Sequence, residues 1–153
     1  MRWMPANAAD VDAAAALADR VHRDYPEDLA VFRNRFALYP AGFLVLRDAD
    51  VLGYAIFHPW MAGSPPRLNQ LVEALPGDAD CIHLHDVAID PQRRGQGDLR
   101  RLMARLADCP SMTLVAVGGT EPLWESYGFR AANGASARDA CLSYGATSVY
   151  MMR

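Results

Sequence analysis

The sequence contains no lysine, only three cysteines and no long apolar run. All 15 of its basic residues are arginine, which excludes a lysine nucleophile or a Schiff base. Cys81, Cys109 and Cys141 are odd in number and widely spaced, which argues against a disulfide framework or a paired-cysteine metal site. No segment reaches the ~20 apolar residues of a membrane span, and the first residues lack the apolar core of a signal peptide. We therefore expect a cytoplasmic protein.

The chain also lacks a strong excess of charge of either sign. Its formal net charge is -3, whereas proteins that bind nucleic acids or anionic membranes normally carry a basic excess, so neither partner class is expected. Because the 153 residues contain neither a repeat nor an interdomain linker, we predict one globular domain that spans residues 1–153.

The spacing of the apolar residues predicts the element order β-α-α-β-β-β-α-β-α-β-β, which is typical of an α/β (α+β) fold around a mixed sheet. A loop rich in Gly, Ala and Ser is expected between the last two strands. The strands are predicted at residues 2–5, 43–47, 51–58, 81–89, 112–117, 129–132 and 146–152, and the helices from Asn7 or Asp10 to about Arg23, over 29–38, at 97–107 and around Trp124, with a further short helix at 68–75.

The fourth predicted strand changes the phase of its apolar pattern part-way. Ile82 and Leu84 occupy even positions, opposite His83 and His85, whereas the later apolar residues occupy odd positions. Because side chains alternate with a period of two, the change requires an irregularity between about 85 and 87, most simply a β-bulge. The alternative is a strand buried on both faces, in which the phase carries no information.

A glycine-containing turn, Arg94-Gly95-Gln96-Gly97-Asp98-Leu99, links this strand to the next helix. At such a turn, unpartnered backbone N–H groups and the positive end of the helix dipole converge, which makes a cradle for an anion such as phosphate. His83 and His85 stand on the strand that leads into this cradle, and histidine carries a proton near neutral pH. The stretch predicts an enzyme that holds a phosphate-bearing cofactor and moves protons beside it.

Two segments resemble the signatures of a known enzyme family. The turn at 94–99 matches Gln/Arg-x-x-Gly-x-Gly/Ala until its last position, where Leu99 replaces a small residue, and further on Trp124 is followed four residues later by Gly128-Phe129. The chain thereby resembles the GNAT superfamily of acetyl-CoA-dependent N-acetyltransferases over essentially its whole length. Its His-Leu-His segment is similar to that of arylalkylamine (serotonin) N-acetyltransferases, which also lack the small residue at the position of Leu99.

The resemblance implies a mixed, mostly antiparallel sheet of about six or seven strands, with helices on both faces and a bulged, splayed central strand. It implies an acyltransferase in which acetyl-CoA donates an acetyl group to a primary amine that attacks the thioester directly. His83 and His85 would remove the proton of the amine. The cofactor would be bound by Val87, Ala88 and Ile89 along the pantetheine arm, by Arg94, Gly95, Gln96, Gly97, Asp98 and Leu99 at the pyrophosphate, and by Trp124.

The family often has a tyrosine at the position of Trp124, where it protonates the departing thiolate. An indole is not a useful general acid, so Tyr127, three residues further along the same helix, is the candidate substitute, and water is the alternative. The acceptor, a small-molecule or peptide amine, is expected to contact Tyr25, Glu27, Phe32 and Trp60, which offer a carboxylate and aromatic rings to a cationic amine. Since dimers are common in the family, a homodimer is one expected assembly.

Two other functions remain open. The departures at Leu99 and Trp124 are compatible with a sensor that binds acyl-CoA without turnover. A His-x-His strand is also a metal-ligand arrangement, which His58, Asp86 or Asp90 would complete, although a metalloprotein leaves the glycine turn unexplained. On the enzyme reading, no metal is expected.

Overall fold

Seven strands form a single sheet in the order β1-β2-β3-β4-β5-β7-β6. The computed structural model describes residues 1–134 and 136–153 in full. Neighbouring strands are antiparallel except β4 and β5, which are parallel. The strands are β1 Trp3–Pro5, β2 Phe43–Arg47, β3 Val51–Trp60, β4 Cys81–Ile89, β5 Met112–Ala116, β6 Arg130–Ala131 and β7 Val149–Met152, and the helices are α1 Ala8–Val21, α2 Leu29–Leu38, α3 Asp98–Arg105, α4 Glu121–Glu125 and α5 Ala135–Leu142.

Hydrophobic cores on both faces hold the helices against the sheet. On one face Leu102 and Met103 of α3 pack with Leu114 of β5. On the other face Leu17 of α1 and Phe32 of α2 pack in a second buried cluster. Burial of this apolar area is the main stabilising contribution. The mixed, mostly antiparallel sheet with helices on both faces is confirmed.

The central strand β4 is bulged and then splayed, as predicted. Asp86 pairs with Ile56 of β3 and Leu84 pairs with Phe57, so that His85 is the extra residue between them. On its other side, β4 pairs with β5 only at Ile82 and His83 among the described residues. Beyond these two residues the strands diverge, which leaves an opening between β4 and β5.

Two predicted elements are wrong. Residues 68–75 form no helix, because side chains take the place of helical hydrogen bonds: Asn34 binds both the N–H and the C=O of Val72, and Arg35 donates to the C=O of Gln70. Conversely, α5 occupies part of the expected final loop, where Ala137 and Cys141 pack one turn apart against Tyr150. In the described part of the chain, no helix is long and apolar enough to cross a membrane.

Candidate active site

A cleft of about 630 Å³ lies where β4 and β5 diverge. It joins the glycine turn at its outer end to the bulge of β4 at its inner end. Of the residues predicted for the site, it is lined by Tyr25, Glu27, His85, Val87, Ile89, Arg94, Gly95, Gly97, Asp98, Leu99, Trp124 and Tyr127.

The outer end of the cleft is built from backbone. Gly95 and Gly97 have φ angles of 77° and 75°, in the left-handed region that favours glycine. A Cβ atom at Gly95 would meet no other atom within 4 Å, so open space lies beside the turn. The helix α3 begins at Asp98, and its first N–H groups have no intrahelical partner. This geometry forms an anion cradle at the positive end of the helix dipole.

The arginines around the cradle divide into two kinds. Arg93 and Arg101 are engaged with the buried carboxylate of Asp98, Arg93 through Nε and Nη2 at 3.1 and 3.2 Å. Arg94 and Arg100 are exposed, line the cleft and form no ion pair with any described residue. The side chain of Asp98 therefore anchors the turn, and Arg94 and Arg100 supply the free positive charge.

Ala88 and Gln96 do not line the cleft, although both were expected to contact the cofactor. Ala88 points to the opposite face of the sheet and is buried in the core beneath α1, because side chains alternate along a strand. Gln96 turns outward and donates through Nε2 to the C=O of Gln92.

The inner end of the cleft holds a buried histidine–carboxylate pair. His85 Nε2 lies 2.9 Å from Glu27 Oε1, and the two side chains are 0% and 5% exposed. Glu27 Oε2 also accepts a hydrogen bond from the N–H of Asn69. Because an ionised carboxylate only accepts, Nε2 of His85 donates in this pair. His85 Nδ1 has no partner among the described residues.

His83 lies behind His85 and does not line the cleft. Its Nδ1 is 2.9 Å from Thr113 Oγ1, and its ring centroid lies 6.1 Å from that of His85 and 5.9 Å from that of His58. Burial lowers the pKa of His83 well below its ordinary value and that of His58 to about 3. Both rings are therefore neutral at neutral pH.

A second histidine–carboxylate pair, which the sequence analysis missed, joins the bulge to α1. His22 Nε2 lies 3.1 Å from Asp86 Oδ1 and 3.0 Å from the C=O of Val87, and Tyr54 donates to Asp86 at 2.6 Å. Burial alone would lower the pKa of His22, but the hydrogen bond and charge of Asp86 raise it overall. Conversely, burial would raise the pKa of Asp86, but the hydrogen bonds from His22 and Tyr54 lower it.

The aromatic pair predicted near the thiolate also borders the cleft. The ring of Trp124 packs edge-on against Phe129 with centroids 5.9 Å apart, and Tyr127 lies 6.4 Å from Trp124. The core contact with Phe129 thus fixes the ring of Trp124, and Tyr127 places a phenol on the same side of the cleft.

The sequence comparison decides which family this fold represents. The model of the Acetyltransferase (GNAT) family matches residues 11–110, which include most of α1, the bulge and the glycine turn. The chain belongs to the GNAT family. This membership confirms the predictions of an acyltransferase and of a coenzyme A thioester as its cofactor. No curated protein matches the sequence.

Solved structures of GNAT proteins share the fold at low sequence identity. A GNAT-like decarboxylase, GphF, in complex with isobutyryl-CoA has a TM-score of 0.75 at 16% identity, with 100% of this chain and 98% of that chain covered. N-acetylglutamate synthase from Neisseria gonorrhoeae, complexed with coenzyme A and N-acetyl-glutamate, has a TM-score of 0.72 at 19% identity, with 99% of this chain and 34% of that chain covered. The loading GNATL domain of CurA from Lyngbya majuscula has a TM-score of 0.73 at 12% identity, with 99% of this chain and 95% of that chain covered.

The predicted acceptor residues of this GNAT chain fall into two groups. Tyr25 and Glu27 line the cleft. Phe32 is fully buried and packs edge-on against Tyr54, with ring centroids 5.5 Å apart. The prediction that Phe32 contacts the acceptor is therefore wrong, because its ring belongs to the core. Trp60 lies outside the cleft, where its indole N–H donates to Ser64. Among the described residues, no group of three or more His, Cys, Asp or Glu is arranged to hold a metal ion.

Proposed function

We propose that this chain binds acetyl-CoA in the cleft and transfers the acetyl group to a primary amine by direct attack. One observation carries the proposal: the glycine turn and the His85–Glu27 pair open into the same cleft. We further propose that residues 1–153 act as one domain, since one sheet includes strands from both ends of the chain.

The outer end fits the diphosphate and pantetheine of the cofactor. The open space beside Gly95 and the first N–H groups of α3 suit a phosphate, and Arg94 and Arg100 supply positive charge. The splayed edge of β4 after the bulge offers backbone groups to an extended arm, as in the addition of a strand. When bound, acetyl-CoA supplies the acetyl group as a thioester.

His85 is the proposed general base. Its Nε2 donates to Glu27, which orients the ring and leaves Nδ1 free to accept the proton of the amine. Glu27 then stabilises the imidazolium that forms. His83 was predicted to share this role, but its ring is buried away from the cleft and neutral, so we assign it to positioning His85.

Tyr127 is the proposed acid for the thiolate, because its phenol borders the cleft beside Trp124. On the acceptor side, Glu27 and Tyr25 supply a carboxylate and an aromatic ring to a cationic amine. A concave cleft of this size favours a small amine or a flexible peptide end over a flat protein surface.

The test compares His85→Ala with His83→Ala. Thiol release from acetyl-CoA is measured with a panel of amines and N-terminal peptides, and coenzyme A affinity is measured by calorimetry. His85→Ala is expected to lower kcat about 100-fold or more, with CoA affinity near that of the wild type, whereas His83→Ala is expected to lose less activity. A His85→Ala variant that keeps full activity across pH 6 to 9 refutes the assigned base. Tight CoA binding without thiol release for any amine instead supports a sensor without turnover.

A further inference from the structure

Asn69 has a left-handed backbone conformation that is unusual for a residue with a side chain. Its φ is 60°, and among the described residues no other residue except glycine has a positive φ. The N–H of Gln70 closes a turn onto the C=O of Arg67 at 3.4 Å, so Asn69 is the third residue of that turn. Leu68, the second residue, has no positive φ, and this combination is a type II turn. Conformations of this kind cluster at functional sites.

The type of the turn decides where the N–H of Asn69 points. Type I and type II turns differ in the orientation of the peptide group between their second and third residues, which is turned over from one type to the other. Here that group joins Leu68 to Asn69, and its N–H donates to Glu27 Oε2 at 2.9 Å. In a type I turn the same N–H would point away from the carboxylate. The positive φ of Asn69 therefore directs this donor at Glu27.

Glu27 links this turn to the proposed base. Its other carboxylate oxygen, Oε1, accepts from His85 Nε2 at 2.9 Å, and both side chains are buried. Because each oxygen of Glu27 has a donor, the N–H of Asn69 and the ring of His85 together fix the orientation of the carboxylate. Supporting hydrogen bonds of this kind hold a catalytic group in its productive geometry. The contacts thus run from the turn to His85 with only Glu27 between them.

Hydrogen bonds from three sides hold the turn in this form. Asn69 Oδ1 accepts from the N–H of Asp28, just before α2, at 2.8 Å. The N–H of Leu68 donates to Ser143 Oγ, at the end of α5, at 2.9 Å. Arg35 of α2 donates at 3.0 Å to the C=O of the residue that follows Asn69. A left-handed residue persists only where its surroundings over-determine it, and here two helices and the loop between α1 and α2 do so.

We propose that Asn69 is a positioning residue: its left-handed conformation aims the N–H that orients Glu27 and, through Glu27, the ring of His85. Asn69 does not line the cleft, so it acts through Glu27 and not on the substrate. The effect on catalysis rests on the function proposed above. The orientation of His85 does not, and it can be measured without a substrate.

The test uses Asn69→Val and Asn69→Gly, with Gly63→Val as the matched control. Valine disfavours the left-handed region, whereas glycine adopts it freely and keeps the N–H. Gly63 belongs to the same connection between β3 and β4, has a φ of 83° and lies outside the cleft. Its valine variant therefore carries similar backbone strain away from Glu27. If Asn69→Val does not fold, the milder Asn69→Ala takes its place.

The first readout is the imidazole nitrogen NMR spectrum of the free protein, in which His85→Gln assigns the signals of His85. Asn69→Val should shift the Nε2–H signal of His85, because Glu27 is no longer held by the turn. Asn69→Gly and Gly63→Val should leave this signal at its wild-type position. A His85 signal that stays unchanged in Asn69→Val overturns the positioning role.

The second readout is kcat with an amine that the wild type acetylates. Asn69→Val should lower kcat about tenfold with CoA affinity near that of the wild type, Asn69→Gly should recover most of this loss, and Gly63→Val should show none. In a Glu27→Ala background, Asn69→Val should lower kcat no further, because the link to His85 is already gone. An equal loss in both backgrounds, or no loss in either, overturns the proposal. A shifted His85 signal in a protein that acetylates no amine would support the positioning of His85 and refute only the proposed function.

Discussion

The two ends of the cleft are built in opposite ways. The outer end consists of one continuous segment, residues 94–100, which carries the glycine turn and the exposed side chains of Arg94 and Arg100. The inner end is assembled from parts distant in sequence: Glu27, His85 and Tyr144. These inner side chains are buried, and two of them, His85 and Tyr144, keep polar atoms without a partner among the described residues.

The difference separates two kinds of recognition. A local turn binds through its backbone N–H groups and depends little on particular side chains. It therefore suits a cofactor part that is common to many enzymes, such as a diphosphate. Unsatisfied side chains in a buried environment discriminate strongly, since an incorrect ligand leaves them unpaired. The outer end therefore supplies general cofactor affinity, and the inner end is where substrate selectivity is expected.

The largest expected effect is the loss of cofactor binding at the outer end. In Gly97→Val, a β-branched side chain would occupy a left-handed position of the cradle, beside the Arg101 Nη1 atom that lies 3.5 Å from an added Cβ. Coenzyme A affinity should fall about 100-fold or more, measured by calorimetry.

Gly63→Val is the matched control for this change. Gly63 has a φ of 83°, a Cβ there would meet no atom within 4 Å, and the residue lies outside the cleft. Both variants should lose a similar ~1–2 kcal/mol of stability from the strained backbone, but Gly63→Val should bind coenzyme A normally. Equal CoA affinities for the two variants would show that the glycine turn does not bind the diphosphate of coenzyme A.

The local nature of the outer end explains why the sequence was sufficient to predict it. The phase change around His85 located the bulge, and the glycines before α3 located the turn, because each depends on neighbours in the chain. The core position of Phe32 is also readable locally: Phe36 lies one helical turn further along α2 and packs in the same cluster, and this spacing is typical of the buried face of a helix.

The inner end was not predictable in the same way. Nothing local links Glu27 to Tyr144. Their placement depends on segment 61–80, which has no periodic signal: the N–H of Asn69 donates to Glu27, and the N–H of Leu68 donates to Ser143, the neighbour of Tyr144. The pair of His22 with Asp86 likewise depends on the packing of the end of α1 against β4. Such contacts are tertiary, and no spacing rule for a helix or a strand contains them.

The burial of His58, which lies beside His83 behind the cleft, should also make the protein sensitive to acid. The pKa of His58 is about 3 in the folded protein, so between pH 6.5 and 3 the unfolded chain binds a proton that the folded chain does not. As the pH is lowered through this range, protonation of this residue in the unfolded chain should therefore decrease the free energy of unfolding by about 1.4 kcal/mol per pH unit. In His58→Phe, urea unfolding between pH 6 and 4.5 should show a slope smaller by that amount. An unchanged slope would mean that His58 is protonated in the folded state.

The smallest effect is expected at His22, which joins the end of α1 to the bulge of β4 through Asp86 and the C=O of Val87. The sign of its pH dependence is opposite to that of His58. Because the folded pKa of His22 is raised, the stability it contributes is complete below the unfolded value of about 6.5 and is lost as the pH rises through the folded value. His22→Gln should therefore destabilise the protein by about 1 kcal/mol at pH 6 and by less at pH 9, measured by urea unfolding. Arg33→Gln, at an exposed ion pair whose groups do not titrate in this range, should show no such difference. A loss at His22 that is equal at both pH values would contradict a charged pair with Asp86, and would leave the hydrogen bond to the C=O of Val87 as the stabilising contact of His22.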